Sequence, residues 1–365
     1  MGEEVARQAT IFDVARLAGV SHQTVSRVLN DLPNVRPSTR THVEEAIKKL
    51  RYVPSPAARA LVTRRSRTIG LIATGGPEFG PSSTTLYFNA AARDANWSVF
   101  TANLVDGNPR EVRSAVEAFL RQSVEGIAVI ASNEAAADAI AGMDLTIPLV
   151  VLQATARAGL ATVGADQYGG ARRAVRHLIE LGHREIAHLA GPADAVDARE
   201  RVRGWHDELA AHGLAARVRG DGDWSPSSGY RFGASCDPDG FSALFAANDQ
   251  MAVGAIHAFA ERGRSVPGDL SIVGFDDIPE AAHISPPLTT MRQDFRRIGQ
   301  DMVHTLLSLI DGNPRESTPA LPELIERAST RQHPLALDGD GRPLASPPTV
   351  EPSENAATPS AVSGG

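Results

Sequence analysis

The sequence is poor in cysteine and in long apolar runs, and each shortage excludes a class of protein. Cys236 is the only cysteine among 365 residues. The chain can therefore form neither an internal disulfide nor a cysteine-based metal site, which suits a reducing cytoplasm. No apolar run approaches the ~18 residues of a membrane span. The acidic start MGEEVARQAT also lacks signal-peptide character. We therefore expect a cytoplasmic protein without membrane contact.

Charge is distributed unevenly along the chain. Residues 1–67 hold twelve Lys and Arg against six Asp and Glu, whereas residues 68–365 hold 24 against 37. A basic N-terminal module on an acidic body is typical of a polyanion-binding head. A solvated basic face would give the same balance, so charge alone leaves both interpretations open.

Three short helices are predicted in the first fifty residues. The apolar positions of Ile11–Ala18 form a helical stripe, and Thr10 with Asp13 resembles a capping box. Gly19 ends that helix, the stretch HQTVSRVL forms a second one, and Pro37 suits the first turn of a third. This is the pattern of a helix-turn-helix, whose second helix enters the DNA major groove. A generic three-helix core would produce the same stripes.

The stretch VPSPAARALVTRRSRT predicts a conditional helix from Ser55 to Val62. It is shorter than the ~12–15 residues that an isolated helix needs in water, so it should be helical only conditionally, and its arginines would place it against phosphates. A simple linker is the alternative. The tail from about Asp338 is rich in Pro, Ser, Ala and Gly without aromatics, which predicts disorder.

From Thr68 onward, strand-like segments alternate with helical ones. The strand-like segments are TIGLIAT, WSVFTANL, GIAVIA, PLVVLQ, EIAHLAG, FSALFAAND and LSIVGFDD. This rhythm predicts parallel sheets covered by helices, with ligands at the carboxyl ends of the strands.

Six stretches between Thr10 and Gln332 resemble, in consistent order, the lactose-repressor (LacI/GalR) family of bacterial transcription regulators, and within it the lactose-repressor branch. They are TIFDVARLAGVSHQTVSRVLN, PSPAARAL, LGHREIAHLAGP, FAANDQMAVGAIHAF, SIVGFDD and PPLTTMRQDF. The resemblance implies an all-α helix-turn-helix head with a hinge helix. It also implies an α/β effector domain of two subdomains with parallel sheets, like periplasmic binding proteins.

The resemblance also implies domain boundaries. The expected domains are the head at 10–52, the hinge helix and linker at 53–67, the effector and dimerisation domain at 68–335, and the disordered tail at 336–365. The N-terminal subdomain would comprise 68–165 with 294–323, and the C-terminal one 166–293 with 324–335.

The resemblance further implies residues that contact operator DNA. It assigns base reading to His22, Gln23 and Arg27. The chemistry agrees, because an Arg side chain can form two hydrogen bonds with a guanine and a Gln side chain can form two with an adenine. Leu61 matches the leucine that the family wedges into the minor groove, although helix packing is its simpler role. The expected DNA contacts are His22, Gln23, Thr24, Ser26, Arg27, Asn30, Arg59 and Leu61.

The effector contacts implied by the resemblance suit a neutral polyol, since planar polar groups bond vicinal hydroxyls and an aromatic ring covers a sugar's apolar face. They are Arg201, Trp224, Asn248, Asp276 and Gln293, with Gln153, Asp166 and Phe79 as further candidates. Three of them have a structural alternative: a helix cap for Asp276, a core position for Trp224 and a solvated salt bridge for Arg201. Gln153 replaces an aspartate of the lactose-repressor branch, which leaves the sugar's identity open.

Two rival functions find little support. The sequence has no P-loop, GxSxG or HExxH motif, and its eleven histidines lack metal-ligand spacing, so we expect no enzyme, no cofactor and no metal. The basic head and the missing signal peptide disfavour a periplasmic transport receptor.

We therefore expect a repressor of sugar-metabolism genes that a sugar or glycoside, with galactosides first, releases from a pseudo-palindromic double-stranded operator. The tail lacks the leucine heptads that join dimers into tetramers, which favours a homodimer. The alternative is a co-repressor-dependent regulator that binds DNA more tightly with its ligand.

Overall fold

The fold is known from a computed structural model that describes residues 9–29, 31–53, 65–105, 107–131, 133–153, 155, 159–315 and 317–333. The N-terminal part consists of helices α1 (Ile11–Ala18), α2 (His22–Leu29) and α3 (Pro37–Leu50). These are the three predicted helices. The predicted hinge helix, together with Asn30, Arg59, Leu61 and the tail, lies outside the described residues.

Local sequence signals determine where the head helices begin and end. At the start of α1, the Thr10 backbone N–H donates to the Asp13 carboxylate at 2.9 Å, and the Asp13 N–H donates to the Thr10 hydroxyl at 3.4 Å. Gly19 ends α1 with φ of +67°, which glycine adopts without strain. The three helices enclose a small core, whose buried members are Val14, Ala15, Val25, Val28, Val43 and Ala46.

The first α/β subdomain is built on a five-stranded parallel sheet. Its strands are β1 (Thr68–Thr74), β2 (Ser98–Leu104), β3 (Ile127–Ile130), β4 (Leu149–Leu152) and β5 (Ala161–Val163), in the order β2-β1-β3-β4-β5. Its first helices are α4 (Phe79–Asp94), α5 (Pro109–Arg121) and α6 (Glu134–Ala141). Strand β3 is buried along its whole length because helices cover both faces.

The second subdomain repeats this arrangement with one added strand. Its strands are β6 (Ile186–Ala190), β7 (Arg219–Asp221), β8 (Ala243–Ala246), β9 (Ser271–Asp276), β10 (Thr289–Arg292) and β11 (Glu323–Ile325), in the order β11-β10-β9-β8-β6-β7. The β10–β11 pair is antiparallel and the other pairs are parallel. Its helices are α7 (Gln167–Glu180), α8 (Val196–Ala211), α9 (Pro226–Ser235) and α10 (Asp249–Glu261).

The chain passes between the two subdomains more than once. After β10, helix α11 (Phe295–Ile310) returns to the first sheet, where Phe295, Met302 and Leu306 join its core. The crossings therefore lie between β5 and α7, between β10 and α11, and between α11 and β11. Residues at these crossings can contact both subdomains.

The fold class expected from the sequence is confirmed, and the seven predicted strand segments contain β1 to β4, β6, β8 and β9. The structure adds β5, β7, β10 and β11, which the pattern did not predict. Three of these lie at sheet edges and span only three residues, so they lack the run of apolar residues that identifies a buried strand. No helix within the described ranges is long and apolar enough to span a bilayer.

Candidate effector cleft and DNA-reading surface

A cavity of about 990 Å³, counted to its open mouth, lies at the carboxyl ends of strands from both sheets. In doubly wound sheets this edge is where ligands bind, because the strand order reverses there and leaves a crevice. Six of the eight predicted effector contacts line the cavity: Arg201, Trp224, Asn248, Asp276, Gln293 and Gln153.

Four buried polar side chains form a closed ring on the cavity wall. Arg201 Nε donates to Gln167 Oε1 at 2.9 Å, and Gln167 Nε2 donates to Gln293 Oε1 at 2.8 Å. Gln293 Nε2 then donates to Asp276 Oδ1 at 2.7 Å, and that oxygen lies 3.7 Å from Arg201 Nη2. Gln167 and Gln293 each accept on the side toward Arg201 and donate on the side toward Asp276. Because a guanidinium can only donate and a carboxylate can only accept, the two charged ends fix the orientation of both amides.

Gln167 is a member of this ring that sequence reasoning missed. It is the first residue of α7, directly after the crossing from β5, so it lies beside both subdomains. Its neighbour Asp166 is one of the candidates from the sequence.

Burial shifts the pKa values of both charged members of the ring. Burial raises the pKa of Asp276 to about 6, although the nearby Arg201 cation and the Gln293 hydrogen bond oppose the rise. Burial also lowers the pKa of Arg201, against the attraction of the neighbouring carboxylates. The Arg201 guanidinium lies 3.9 Å from the centroid of the Phe275 ring and 5.4 Å from that of Trp224, and it also donates to the Ala247 carbonyl.

The backbone at the site is strained. Trp224, Asp276 and Asp277 have φ of 69°, 110° and 58°, in the region that side-chain-bearing residues seldom adopt. The Asp277 carboxylate accepts from Arg292 and Arg327 at 2.6 Å each, which anchors this turn after β9. Asp276 faces Gln293 and Arg201 and does not cap a helix.

Asn248 connects Trp224 to the scaffold. Its Oδ1 accepts from the Met251 N–H at 2.9 Å as the N-cap of α10, and its Nδ2 donates to the Trp224 carbonyl at 3.0 Å. The Trp224 ring packs on Gly191, where an added Cβ would lie 2.3 Å from the ring. The Trp224 indole can therefore occupy this position only because residue 191 has no side chain.

The structure places the remaining two candidates off the cavity wall. Asp166 is the N-cap of α7 and accepts from the Gly169 N–H at 2.8 Å. Phe79 packs edge-on against Phe295, with ring centroids 5.5 Å apart. The wall also contains polar residues that the sequence did not single out, namely Glu78, Asn133, Gln167 and Asp197.

The predicted base-reading residues share the exposed side of α2. His22, Gln23 and Arg27 are exposed, and the His22 ring lies against Phe12 of α1 with centroids 5.2 Å apart. Thr24 is partly buried, and its N–H donates to the Ser21 hydroxyl at 3.2 Å, a capping contact. Ser26 is also partly buried. Within the part of the chain that the structure describes, no group of three or more His, Cys, Asp or Glu could hold a metal ion.

Comparison with known families and proteins agrees with this architecture. Residues 10–55 match bacterial regulatory proteins of the lacI family, and residues 175–330 match a periplasmic binding protein-like domain. The lactose operon repressor of Escherichia coli (strain K12) is 34% identical over 342 residues, covering 93% of this chain and 95% of the repressor. The transcriptional repressor PurR of Haemophilus influenzae (strain PittEE) is 33% identical over 341 residues, covering 88% of this chain and 99% of PurR.

Two solved structures extend the likeness. A lac repressor dimer bound to operator and the anti-inducer ONPF superposes with a TM-score of 0.82 at 34% identity, covering 89% of this chain and all of that one. A complex of the transcriptional regulator CelR with cellobiose gives a TM-score of 0.65 at 30% identity, covering 88% and 99%. The chain therefore belongs to the lacI family of bacterial regulatory proteins and is a DNA-binding transcription regulator, not an enzyme.

Proposed function

We propose that the chain is a homodimeric repressor in the cytoplasm, which binds a pseudo-palindromic operator and releases it when a sugar or glycoside occupies the cavity. The observation that carries the proposal is the closed ring of Arg201, Gln167, Gln293 and Asp276 beside the Trp224 ring. It is supported by the lac repressor dimer on its operator and by the CelR–cellobiose complex.

The hydrogen-bonded ring of four side chains is suited to bind a pair of vicinal hydroxyls. A hydroxyl can accept from the Arg201 guanidinium while it donates to the Asp276 carboxylate, and the Trp224 ring offers a flat apolar surface to the C–H face of a pyranose. We assign effector contacts to these residues and to Gln293 and Gln153. Asn248 acts by holding Trp224.

The DNA side rests on the exposed face of α2. We assign base reading to His22, Gln23 and Arg27, with residues 10–52 as the head and 53–67 as the hinge and linker. Two heads in a symmetric dimer require half-sites related by a dyad.

Effector and operator are coupled through the cavity, whose wall draws residues from both subdomains. A ligand that closes the cleft shifts one subdomain relative to the other, and it acts only through its different affinities for the two states. Moving the equilibrium from 1:99 to 99:1 takes ~5.5 kcal/mol across the dimer.

Calorimetry of the full chain with a panel of mono- and disaccharides, in the presence and absence of a duplex selected from random sequences, tests this function. We expect at least one neutral sugar, with galactosides tried first, to bind once per chain and to bind more weakly when the duplex is present. Linkage requires the sugar to weaken DNA binding by the same factor. Binding of purines or phosphorylated metabolites alone would contradict the proposal. A ligand that tightens the DNA complex would identify a co-repressor.

A further inference from the structure

Two buried side-chain oxygens on the cavity wall, Glu78 Oε2 and Gln153 Oε1, have no hydrogen-bond partner within the described residues. We call them the acceptor pair. Leaving a buried acceptor unsatisfied costs about 1–3 kcal/mol, and more when it is charged. Such a cost is expected where the missing donor belongs to a ligand.

The acceptor pair lies on the first subdomain. Glu78 directly precedes α4 in the segment after β1, and Gln153 directly follows β4. Arg201 and Asp276 belong to α8 and β9 of the second subdomain. A ligand that contacts both the acceptor pair and the ring therefore joins the two subdomains, as cleft closure requires.

The segment around Glu78 is shaped to hold this carboxylate. Its other oxygen, Oε1, lies 2.9 Å from the position that a Cβ on Gly76 would occupy. The carboxylate can fold back over position 76 only because no side chain stands there. Asn133, another polar wall residue of this subdomain, already uses its Oδ1 to cap α6 at 2.9 Å from the Ala136 N–H.

The charged groups on the wall determine which ligands can enter. The cavity wall carries three carboxylates, those of Glu78, Asp197 and Asp276. It also carries the Arg201 guanidinium, which already faces Asp276. Burial raises the pKa of Asp197 as well as that of Asp276 because both carboxylates are desolvated, and the Arg201 cation opposes the rise in each case. An anionic ligand would add repulsion to this wall, whereas hydroxyl or ammonium groups would supply the missing donors.

From these observations we infer that Glu78 and Gln153 bind the effector directly, and that the effector presents hydroxyl or ammonium donors to them and carries no anionic group. Phosphorylated sugars and sugar acids are excluded. The inference rests on the proposed function, in which this cavity is the effector site.

The test compares three ring-matched probes, D-galactose, D-galactosamine and D-galacturonate, and the corresponding glucose series, by calorimetry on the full chain. We expect the wild type to bind the neutral or the amino sugar at least roughly tenfold more tightly than the acid of the same series. Glu78→Gln should weaken the best-bound probe by roughly tenfold, because the hydrogen bond to position 78 loses the charge of its acceptor. Glu78→Leu and Gln153→Leu should weaken it by a similar or larger factor, because each removes an acceptor altogether. Glu117→Gln, an exposed change on α5, is the charge-matched control and should leave binding unchanged.

The variants separate a hydroxyl donor from an ammonium donor. An advantage of the amino sugar that disappears in Glu78→Gln identifies an ammonium, and equal losses for both sugars identify a hydroxyl. The midpoint of thermal unfolding without ligand gives a second readout. It should be unchanged or higher in Glu78→Gln, because the change removes a buried charge that lacks a partner.

The outcomes distinguish this inference from the proposed function. If the wild type binds a neutral or amino sugar and the Glu78 variants bind it equally well, Glu78 is not an effector residue, although the proposed function stands. A lower unfolding midpoint in Glu78→Gln would show a structural role and would also overturn the inference. If only the acids bind, the inference fails although a sugar effector stands. If neither these probes nor any sugar of the mono- and disaccharide panel binds, both fail.

Discussion

Arg201 and Asp276 face each other across 3.7 Å with side chains only 4% and 9% exposed, yet their closest atoms are too far apart for a hydrogen bond. Gln167 and Gln293 provide the hydrogen-bonded path between them. Both charges of such a pair lose their hydration on burial, and without a direct hydrogen bond their mutual attraction offsets only part of that cost. The side of the ring between Arg201 and Asp276 is therefore an ion pair without a hydrogen bond, and a ligand hydroxyl can bond to both groups.

Replacing Gln293 by Leu should break the ring at its central link. Gln167 would lose its acceptor and Asp276 its donor, each at a cost of about 1–3 kcal/mol, and we expect sugar affinity to fall at least roughly tenfold. Operator affinity without sugar should change less than about twofold, because the head is distant in sequence and intact. Calorimetry for sugar and fluorescence anisotropy for DNA measure the two effects.

The exposed Gln300 of α11 supplies the matched control, and Gln300→Leu should alter neither affinity. Sugar binding that survives Gln293→Leu undiminished would remove the ring from the effector site.

The acidic side of the pH profile should report Asp276. Because burial raises the pKa of this carboxyl to about 6 in the ligand-free chain, it becomes protonated as the pH falls through that value. Sugar hydroxyls donate to the ionised form, so affinity should be full about one pH unit or more above 6 and should fall by up to about tenfold per pH unit below 6. Calorimetry at pH 5.5 in two buffers of different ionisation enthalpy should detect a proton released on binding. An affinity that is flat from pH 5 to 7.5, with no proton release, would contradict this role.

Gly191 offers a test of Trp224 that leaves the tryptophan itself in place. A Cβ at position 191 would lie 2.3 Å from the indole, so Gly191→Ala should displace the ring and weaken sugar binding by roughly tenfold. The displacement should also change the intrinsic tryptophan fluorescence. Gly240→Ala is the control, since the nearest atom to its added Cβ is 3.9 Å away. Equal sugar affinities in the two variants would argue against stacking on Trp224.

How far the sequence predicts the molecule depends on the range of the interaction. The capping box of Thr10 and Asp13 and the Gly19 stop act within four residues, and both were predicted from spacing. Six of the eight candidate effector residues lie on the cavity wall, because they follow strand ends or match a family motif.

What the sequence could not predict arises between distant segments. Gln167 and Gln293 are 126 residues apart and meet only because the chain crosses between the subdomains. The unpaired oxygen of Glu78 is visible only when every neighbour is in place. The edge strands β7 and β11 hold three residues each, so their pairing with β6 and β10 decides their conformation more than their own propensity does.

Arg27 should carry sequence discrimination in the head. It is exposed in the last turn of α2, whose buried residues Val25 and Val28 fix the orientation of the helix on the head core. If its guanidinium grips a guanine through two hydrogen bonds, Arg27→Ala should cost about 1–3 kcal/mol on the selected duplex and much less on random DNA. Arg113→Ala on α5 removes an equal charge from an exposed position far along the chain and should change neither affinity. Anisotropy titrations of both duplexes at one salt concentration make the comparison, because loss of a phosphate contact alone would weaken the two equally. Such an equal loss would move Arg27 from base reading to backbone binding.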